Sequence, residues 1–291
     1  MTRQNLHLLI IDPQNDFCDL PADRVPAGEA PALPVAGAHA DMQRLAALIE
    51  QGGAGLAGIT VTLDSHQRVD IGHPAFWVQG DGAPVAPFTQ IRTVDVTTGC
   101  FLPRGTSAAE REAREARVVA YLKALEAAGR YVHMVWPTHC EIGTWGHNVH
   151  ADVRRAYNRW EEAQVAVVDK MVKGTNPWTE HYSAIQAEVP DPGDDATQTN
   201  IHLIARLRAA DRVYIAGEAG SHCVKSTVEH IAEHYAPNEI GRLVLIADCM
   251  SPVTGFEAQH RAFLDDMRAR GVRIADTRTV LPELLANAGA G

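Results

Sequence analysis

Arg212–Tyr235 reads RVYIAGEAGSHCVKSTVEHIAEHY. Its opening residues, Arg212–Ala216, are β-rich and apolar with no polar alternation, which marks a strand buried on both faces. The stretch GEAGSHCV follows and opens a helix. In His222–Tyr235 the residues Val224, Val228, Ile231 and Tyr235 recur at helical spacing and form one packing stripe. A buried strand, a turn and an amphipathic helix make one βα unit.

That unit repeats. Leu6–Ile11, Leu56–Leu63, Tyr131–Trp136, Gln164–Val168, Arg242–Ala247 and Val272–Ala275 also read as strands. Helices are expected at Asp41–Glu50, which ends at Gly52–Gly53, at Thr197–Ala209 and at Glu257–Arg270. Ser107 and Glu110 form a capping box before a long helix that Gly129 closes. The alternation predicts an α/β fold: a doubly wound, mainly parallel sheet flanked by helices on both faces. We expect one domain over residues 1–291 with an insertion at about 78–130. Val78–Arg104, rich in Gly, Pro and Thr, reads as an excursion such as a hairpin or lid, and Val189–Ala196 as a polar linker loop.

Composition narrows the function. The formal net charge is −10, and no Lys/Arg-rich run appears. An acidic surface argues against a nucleic-acid partner and favours a small or uncharged one. The apolar run Leu8–Ile11 is too short for a secretory core, and no stretch has transmembrane length. The five cysteines have no paired spacing, so free thiols in a reducing cytoplasm are expected. No membrane partner is expected; a homo-oligomer is allowed.

In doubly wound sheets the active site lies at the carboxyl ends of the strands. Asp12 ends the first strand and is followed by PQNDF. Asp64 ends the second, followed by Ser65, His66 and, in the next loop, His73. WPTHC follows the Tyr131 strand, and DKMVKG the Gln164 strand. An aspartate after a strand is commonly a turn residue, and a lone cysteine is commonly a small buried hydrophobe. Cys223, however, opens a helix, where unpaired N–H groups and the macrodipole favour a thiolate. Lys173 and Lys170 compete for any role beside it. Asp64, His66 and His73 make a reasonable metal set of borderline hardness. His230–His234 (HIAEH) matches an inverted zinc-protease pattern, but we read the match as chance because these histidines flank the packing stripe.

Taken in order, the motifs DPQNDF, DSH with a later His, WPTHC with GT beyond it, KGTNPWTEHYSAI and GEAGSHCV resemble those of the nicotinamidase group of isochorismatase-like hydrolases. The resemblance spans Asp12 to about Asp248. It implies a catalytic triad of Asp12, Lys173 and Cys223, with Lys173 rather than Lys170 because it precedes the Gly. It implies metal ligands at Asp64, His66, His73 and His139, and aromatic ring walls at Phe17 and Trp136. It implies a cis peptide at Glu218–Ala219 that aims the backbone N–H groups of Ala219 and Cys223 at the substrate oxygen. The implied activity is hydrolysis of nicotinamide to nicotinate and ammonia through a thioester, with a place in NAD salvage. A carboxylate with two or three histidines suits a divalent ion, Zn²⁺ first and Mn²⁺ or Fe²⁺ after it, better than Ca²⁺ or Mg²⁺.

The sequence also departs from that pattern. The segment between His73 and Trp136 is enlarged, and Glu218 and Gly220–Ser221 replace a more usual apolar residue and Thr-Asp. These changes favour, as an alternative, an amidohydrolase for another carboxamide or a ureido substrate. A non-catalytic metal-binding scaffold of the same fold is the reading from a different class.

Overall fold

The computed structural model describes residues 2–290. In chain order the elements open with β1 (Leu6–Ile11), α1 (Ala38–Gly52) and β2 (Gly58–Asp64). The middle holds β3 (Trp77–Gln79), β4 (Thr89–Ile91), α2 (Thr93–Thr97), β5 (Phe101–Pro103), α3 (Ala108–Ala128) and β6 (His133–Val135). Then come α4 (Ala151–Gln164), β7 (Asp169–Lys173), α5 (Ile201–Ala209), β8 (Arg212–Gly217) and α6 (Cys223–Glu233). The chain closes with β9 (Leu243–Ile246), α7 (Glu257–Ala269), β10 (Arg273–Ala275) and α8 (Thr277–Ala288).

Six strands form one sheet in the order β10-β9-β8-β1-β2-β7, and every pairing is parallel. Helices flank it, as expected of strands with apolar residues on both faces. β1 is buried along its whole length, as its apolar run Leu8–Ile11 predicts, and His7 is buried with it, paired to Thr60. The chain runs from β1 outward to β7, then returns to β8 on the other side of β1. The winding therefore reverses between β1 and β8, where ligand crevices form in such sheets. Asp12 follows one of these strands and Cys223 lies just beyond the other. Among the described residues no helix is long and apolar enough to cross a membrane.

Two expected strands differ. Tyr131–Trp136 does not join the main sheet: its core, β6, pairs antiparallel with β4 from the excursion. A short apolar run looks the same whether it is central or in a satellite ribbon. Gln164–Val168 is not a strand. Val165 caps α4 with φ 50°, and Val165 and Val167 are 93% and 83% exposed. The strand lies just beyond it, at β7, on the sheet edge. Helices α4 and α8 were not anticipated. Both pack on α1.

The excursion folds back on itself. β3 pairs antiparallel with β5, and Ile71, Phe76, Trp77, Val96, Leu122 and Val135 belong to a second apolar cluster beside the main core. Helix α3 begins as predicted, with the Ser107 hydroxyl accepting from the Glu110 N–H, and ends at left-handed Gly129. The reciprocal half of the box shifts by one residue, because the Glu110 carboxylate accepts from the Thr106 N–H.

Candidate active site

The DPQNDF segment after β1 works as a clamp. The Gln14 side chain accepts from the Asp64 N–H at 2.7 Å and donates to the Asp64 carbonyl at 2.8 Å, tying the ends of β1 and β2 together. Asp16 Oδ2 accepts from the Cys140 N–H at 2.6 Å and so anchors the loop that carries His139. The His66 N–H donates to the Cys140 carbonyl at 3.0 Å, which brings that loop alongside the end of β2. The tertiary contact, more than the satellite strand before it, puts His139 at the site.

Asp12, Lys173 and Cys223 meet in the interior. Lys173 Nζ lies 3.0 Å from Asp12 Oδ2 and 2.9 Å from Asp64 Oδ1, and all three side chains are buried. The same ammonium donates to the His181 carbonyl at 2.9 Å and sits 3.7 Å from Cys223 Sγ. Thr62 Oγ1 donates to Asp12 Oδ1 at 2.6 Å. Lys170 is elsewhere, exposed and paired with Glu161 at 3.1 Å. Burial opposes the charge on Lys173, yet Asp12 and Asp64 hold its pKa well above the usual lysine value. Burial raises the Asp12 carboxyl, and Lys173 pulls it back. Burial also pushes the Cys223 thiol well above its ordinary value against the pull of Lys173. Desolvation thus outweighs the helix terminus, so this thiol could react as a nucleophile only with a base beside it. One carboxylate oxygen of Asp12 lies within 4.8 Å of Cys223 Sγ.

The second half of the site is a histidine cluster. One nitrogen from each of His66, His73 and His139 lies within 4.8 Å of the others, and all three residues are buried. His66 Nε2 and His139 Nε2 stand 3.0 and 3.4 Å from Asp64 Oδ2. Each ring is held from its other side. His66 Nδ1 faces Asp70 Oδ2 at 3.2 Å, His73 Nδ1 the Gln67 carbonyl at 3.1 Å, and His139 Nδ1 the Pro137 carbonyl at 2.8 Å. Outer partners that fix the ring orientation and leave Nε2 directed inward are the arrangement metal-binding histidines require. With Asp64 the donor set fits a borderline divalent cation. Asp64 joins the two halves, one oxygen toward Lys173 and the other toward the histidines. Burial opposes its charge, but His66 and Lys173 hold its pKa well below the usual range.

A cavity of about 20 Å³ opens between the halves, lined by Phe17, Asp64, Trp136, His139, Ala219 and Cys223 among others. Phe17 packs on His139 with ring centroids 5.5 Å apart. The Glu218–Ala219 peptide is cis. Cys223 is the first residue of α6, so its N–H belongs to the turn that lacks intrahelical acceptors. Gly217 has φ 123°, and a Cβ there would come within 1.9 Å of the Ile11 carbonyl oxygen. Only glycine lets the loop after β8 pass this close to β1.

Asp12, Asp64, His66, His73, His139, Lys173 and Cys223, with Phe17, Trp136 and Ala219, therefore meet at one edge of the sheet, and Lys170 does not. Several others emerge only here. Glu180, inside the quoted KGTNPWTEHYSAI, lines the cavity and is buried, its Oε2 has no partner, and burial raises its pKa to about 8. Tyr182 and His222 line the same cavity, and burial keeps His222 neutral down to about 3. Asp70 was not read as a support for His66. The rejected HIAEH match is likewise no cluster, but His230 is buried rather than flanking, and it faces Arg130. All five cysteines are free, and Cys100 is the exposed one.

No protein-family model matches the chain, and no curated protein matches it in sequence. Solved structures do match. A nicotinamidase/pyrazinamidase of Acinetobacter baumanii superposes with a TM-score of 0.61 at 20% identity, covering 96% of this chain and 100% of that one. The yeast nicotinamidase bound to the inhibitor nicotinaldehyde gives 0.60 at 17% identity, covering 93% and 99%. A Pyrococcus horikoshii pyrazinamidase in complex with zinc gives 0.51 at 20% identity, covering 94% and 99%. Its parallel six-stranded sheet, its helices on both faces and these superpositions establish that the chain has the isochorismatase-like fold of the nicotinamidases and pyrazinamidases.

Proposed function

We propose that this chain is a cysteine amidohydrolase that converts a small aromatic carboxamide, nicotinamide first, to the carboxylate and ammonia. The observation that carries this reading is the Lys173 ammonium, 3.0 Å from Asp12 and 3.7 Å from Cys223, at a cavity that also meets the histidine cluster.

The chemistry follows from these parts. Asp12 takes the thiol proton as Cys223 Sγ attacks the carboxamide carbon. Lys173 offsets the negative charge on both groups during the transfer. The oxyanion is met by the backbone N–H groups of Ala219 and Cys223; losing such a donor commonly costs about 3 kcal/mol. Asp12 returns its proton to the amide nitrogen, the C–N bond breaks, and ammonia leaves a thioester on Cys223. Asp12 then takes a proton from water, whose oxygen attacks the thioester carbon. The C–S bond breaks, the carboxylate is released, and the proton goes back to Cys223. Phe17 and Trp136 hold the ring flat. Asp64, His66, His73 and His139 would hold a divalent cation, zinc first, whose chemistry there is to coordinate a ring nitrogen and so orient the carboxamide.

The test is ammonia release from nicotinamide by the purified protein, with and without a chelator, alongside elemental analysis. Turnover that falls on chelation and returns with Zn²⁺, Mn²⁺ or Fe²⁺ is expected. Nicotinaldehyde, the inhibitor in the yeast enzyme's structure, should form a thiohemiacetal on Cys223 detectable by mass spectrometry. A fully active metal-free protein would remove the metal from the reading, and an active Cys223→Ala would remove the thioester. A second reading, a more polar carboxamide or a ureido substrate, is favoured by Glu180, whose unpartnered oxygen would meet an added polar group. Faster ammonia release from such a substrate than from nicotinamide would select it.

A further inference from the structure

Beside the catalytic cavity lies a second and larger one, of about 190 Å³. The two share three walls: Trp136, Tyr182 and His222 line both. A ring seated at Cys223 is thus one side chain away from the outer space. Apart from Ser221, the outer walls come from residues outside the motifs of the catalytic site. Gln90 lies on β4, Arg130 and Tyr131 follow α3, and Gln259 lies on α7. The enlarged segment is what builds this chamber. β4 pairs with β6, whose chain leads directly into Trp136, and the Phe88 ring stands 6.0 Å from Trp136.

Five aromatic rings, Tyr131, Trp136, Tyr182, His222 and Phe256, form much of the lining. His222 stacks on Tyr131 at 5.9 Å with 25° between planes and meets Phe256 edge-on at 4.6 Å. Tyr131 and Tyr182 are 4.7 Å apart. Flat apolar groups fit between such faces. Two cations also line the chamber, and each is balanced from behind. Lys225 pairs with Glu229 at 3.0 Å, and Arg130 with Glu229 at 3.1 Å and Glu188 at 3.5 Å. Neither carboxylate lines the cavity. The donors of both cations are taken up by these partners and by Ser226, His230 and Tyr131, so the chamber has no net charge to be neutralised. That suits a neutral planar group better than a strongly anionic one.

We propose that this chamber is an outer substrate subsite, and that the preferred substrate is an aromatic carboxamide extended by a second planar group. This rests on the carboxamide reading above, which places the first ring at Cys223. Nicotinamide alone fills only the inner position.

Binding and turnover are measured for nicotinamide and for 5-phenyl- and 6-phenylnicotinamide. Calorimetry uses the metal-loaded Cys223→Ala protein, so that affinity is read without chemistry; ammonia release uses the active chain. At least one phenyl compound should bind roughly tenfold more tightly than nicotinamide, a modest return for six added ring atoms. Gln90→Trp and Gln259→Trp, at exposed positions on the chamber's rim, should remove that gain and leave nicotinamide affinity within about twofold. If nicotinamide is hydrolysed but neither phenyl compound binds more tightly, the subsite is overturned while the amidase reading stands. If no carboxamide is hydrolysed but a phenyl compound binds and the Trp variants expel it, the chamber stands as a binding site and the amidase reading fails. Trp variants that weaken both ligands equally also overturn the subsite, as does the absence of binding by all three ligands.

Discussion

Lys173 shows how one buried residue can hold a site together. Its ammonium offsets two carboxylates, Asp12 and Asp64, in a place where either charge alone would be costly. Lys173→Ala leaves both without their cation. The expected result is loss of turnover together with a destabilisation of about 3–5 kcal/mol in denaturant melts. Lys170→Ala breaks a half-exposed ion pair and should shift stability by less than about 1 kcal/mol with activity intact. Equal effects of the two substitutions would contradict this assignment. The cysteines separate similarly. Cys100 is exposed, whereas Cys223 is buried with its thiol held protonated. Iodoacetamide should modify Cys100 first, without loss of activity, and inactivation should follow the slower labelling of Cys223 in peptide mass spectra. A helix terminus by itself favours Cys223, and its burial is expected to reverse that order for a general thiol reagent.

At the scale of elements, the join between β8 and α6 is the most constrained. Gly217→Ala would drive a Cβ into the Ile11 carbonyl at a backbone angle that L residues rarely adopt. A loss of about 3–5 kcal/mol is expected, read as a lowered urea midpoint or as insoluble expression. A midpoint within error of wild type would mean that the β8 loop can move away from β1. The N-terminus of α3 offers a milder test at a site far from the chemistry. Ser107→Ala removes the hydroxyl that accepts from Glu110 and should cost about 1 kcal/mol. Turnover at 25 °C should not change.

Over the whole molecule, we propose that the chain is one domain, with residues 78–130 inserted into it. The second apolar cluster supports this, because Ile71 and Val135 from outside the insertion complete it, and Trp178 and Val189 pack against it. One cooperative thermal transition is expected, and a separate early transition would argue for two units. Acid should destabilise the fold. Burial holds His7 and His133 at about 4 and His222 at about 3, below the ordinary value of 6.5. Unfolding lets these rings take up protons. Their contribution is fully present above pH 6.5 and is lost progressively as pH falls toward 4. In a chelated buffer the Tm should therefore drop by several degrees between pH 7 and pH 5. A Tm independent of pH over that range would show that these rings titrate alike in the folded and unfolded chain, or that Glu180, raised to about 8, offsets them.

Local pattern was enough for much of this protein. Apolar runs such as Leu8–Ile11 reported burial on both faces, and with it the parallel sheet, and periodic apolar residues reported α6; Asp12, Asp64, Lys173 and Cys223 were implied by the resemblance of the short motifs taken in order. These features are written in neighbouring residues, because the strand and helix periods repeat within a few positions. Pairing between distant segments is not written that way. Whether Tyr131–Trp136 joined the main sheet depended on β4, more than forty residues upstream. Asp16 and Cys140 are far apart in sequence, and their hydrogen bond, not any motif, delivers His139 to His66 and His73. The orientation of each imidazole depends on which carbonyl or carboxylate lies behind it. The same holds for burial of the Cys223 thiol, the lone Glu180 oxygen and the chamber beyond His222, since desolvation and cavity shape are properties of everything packed around a group.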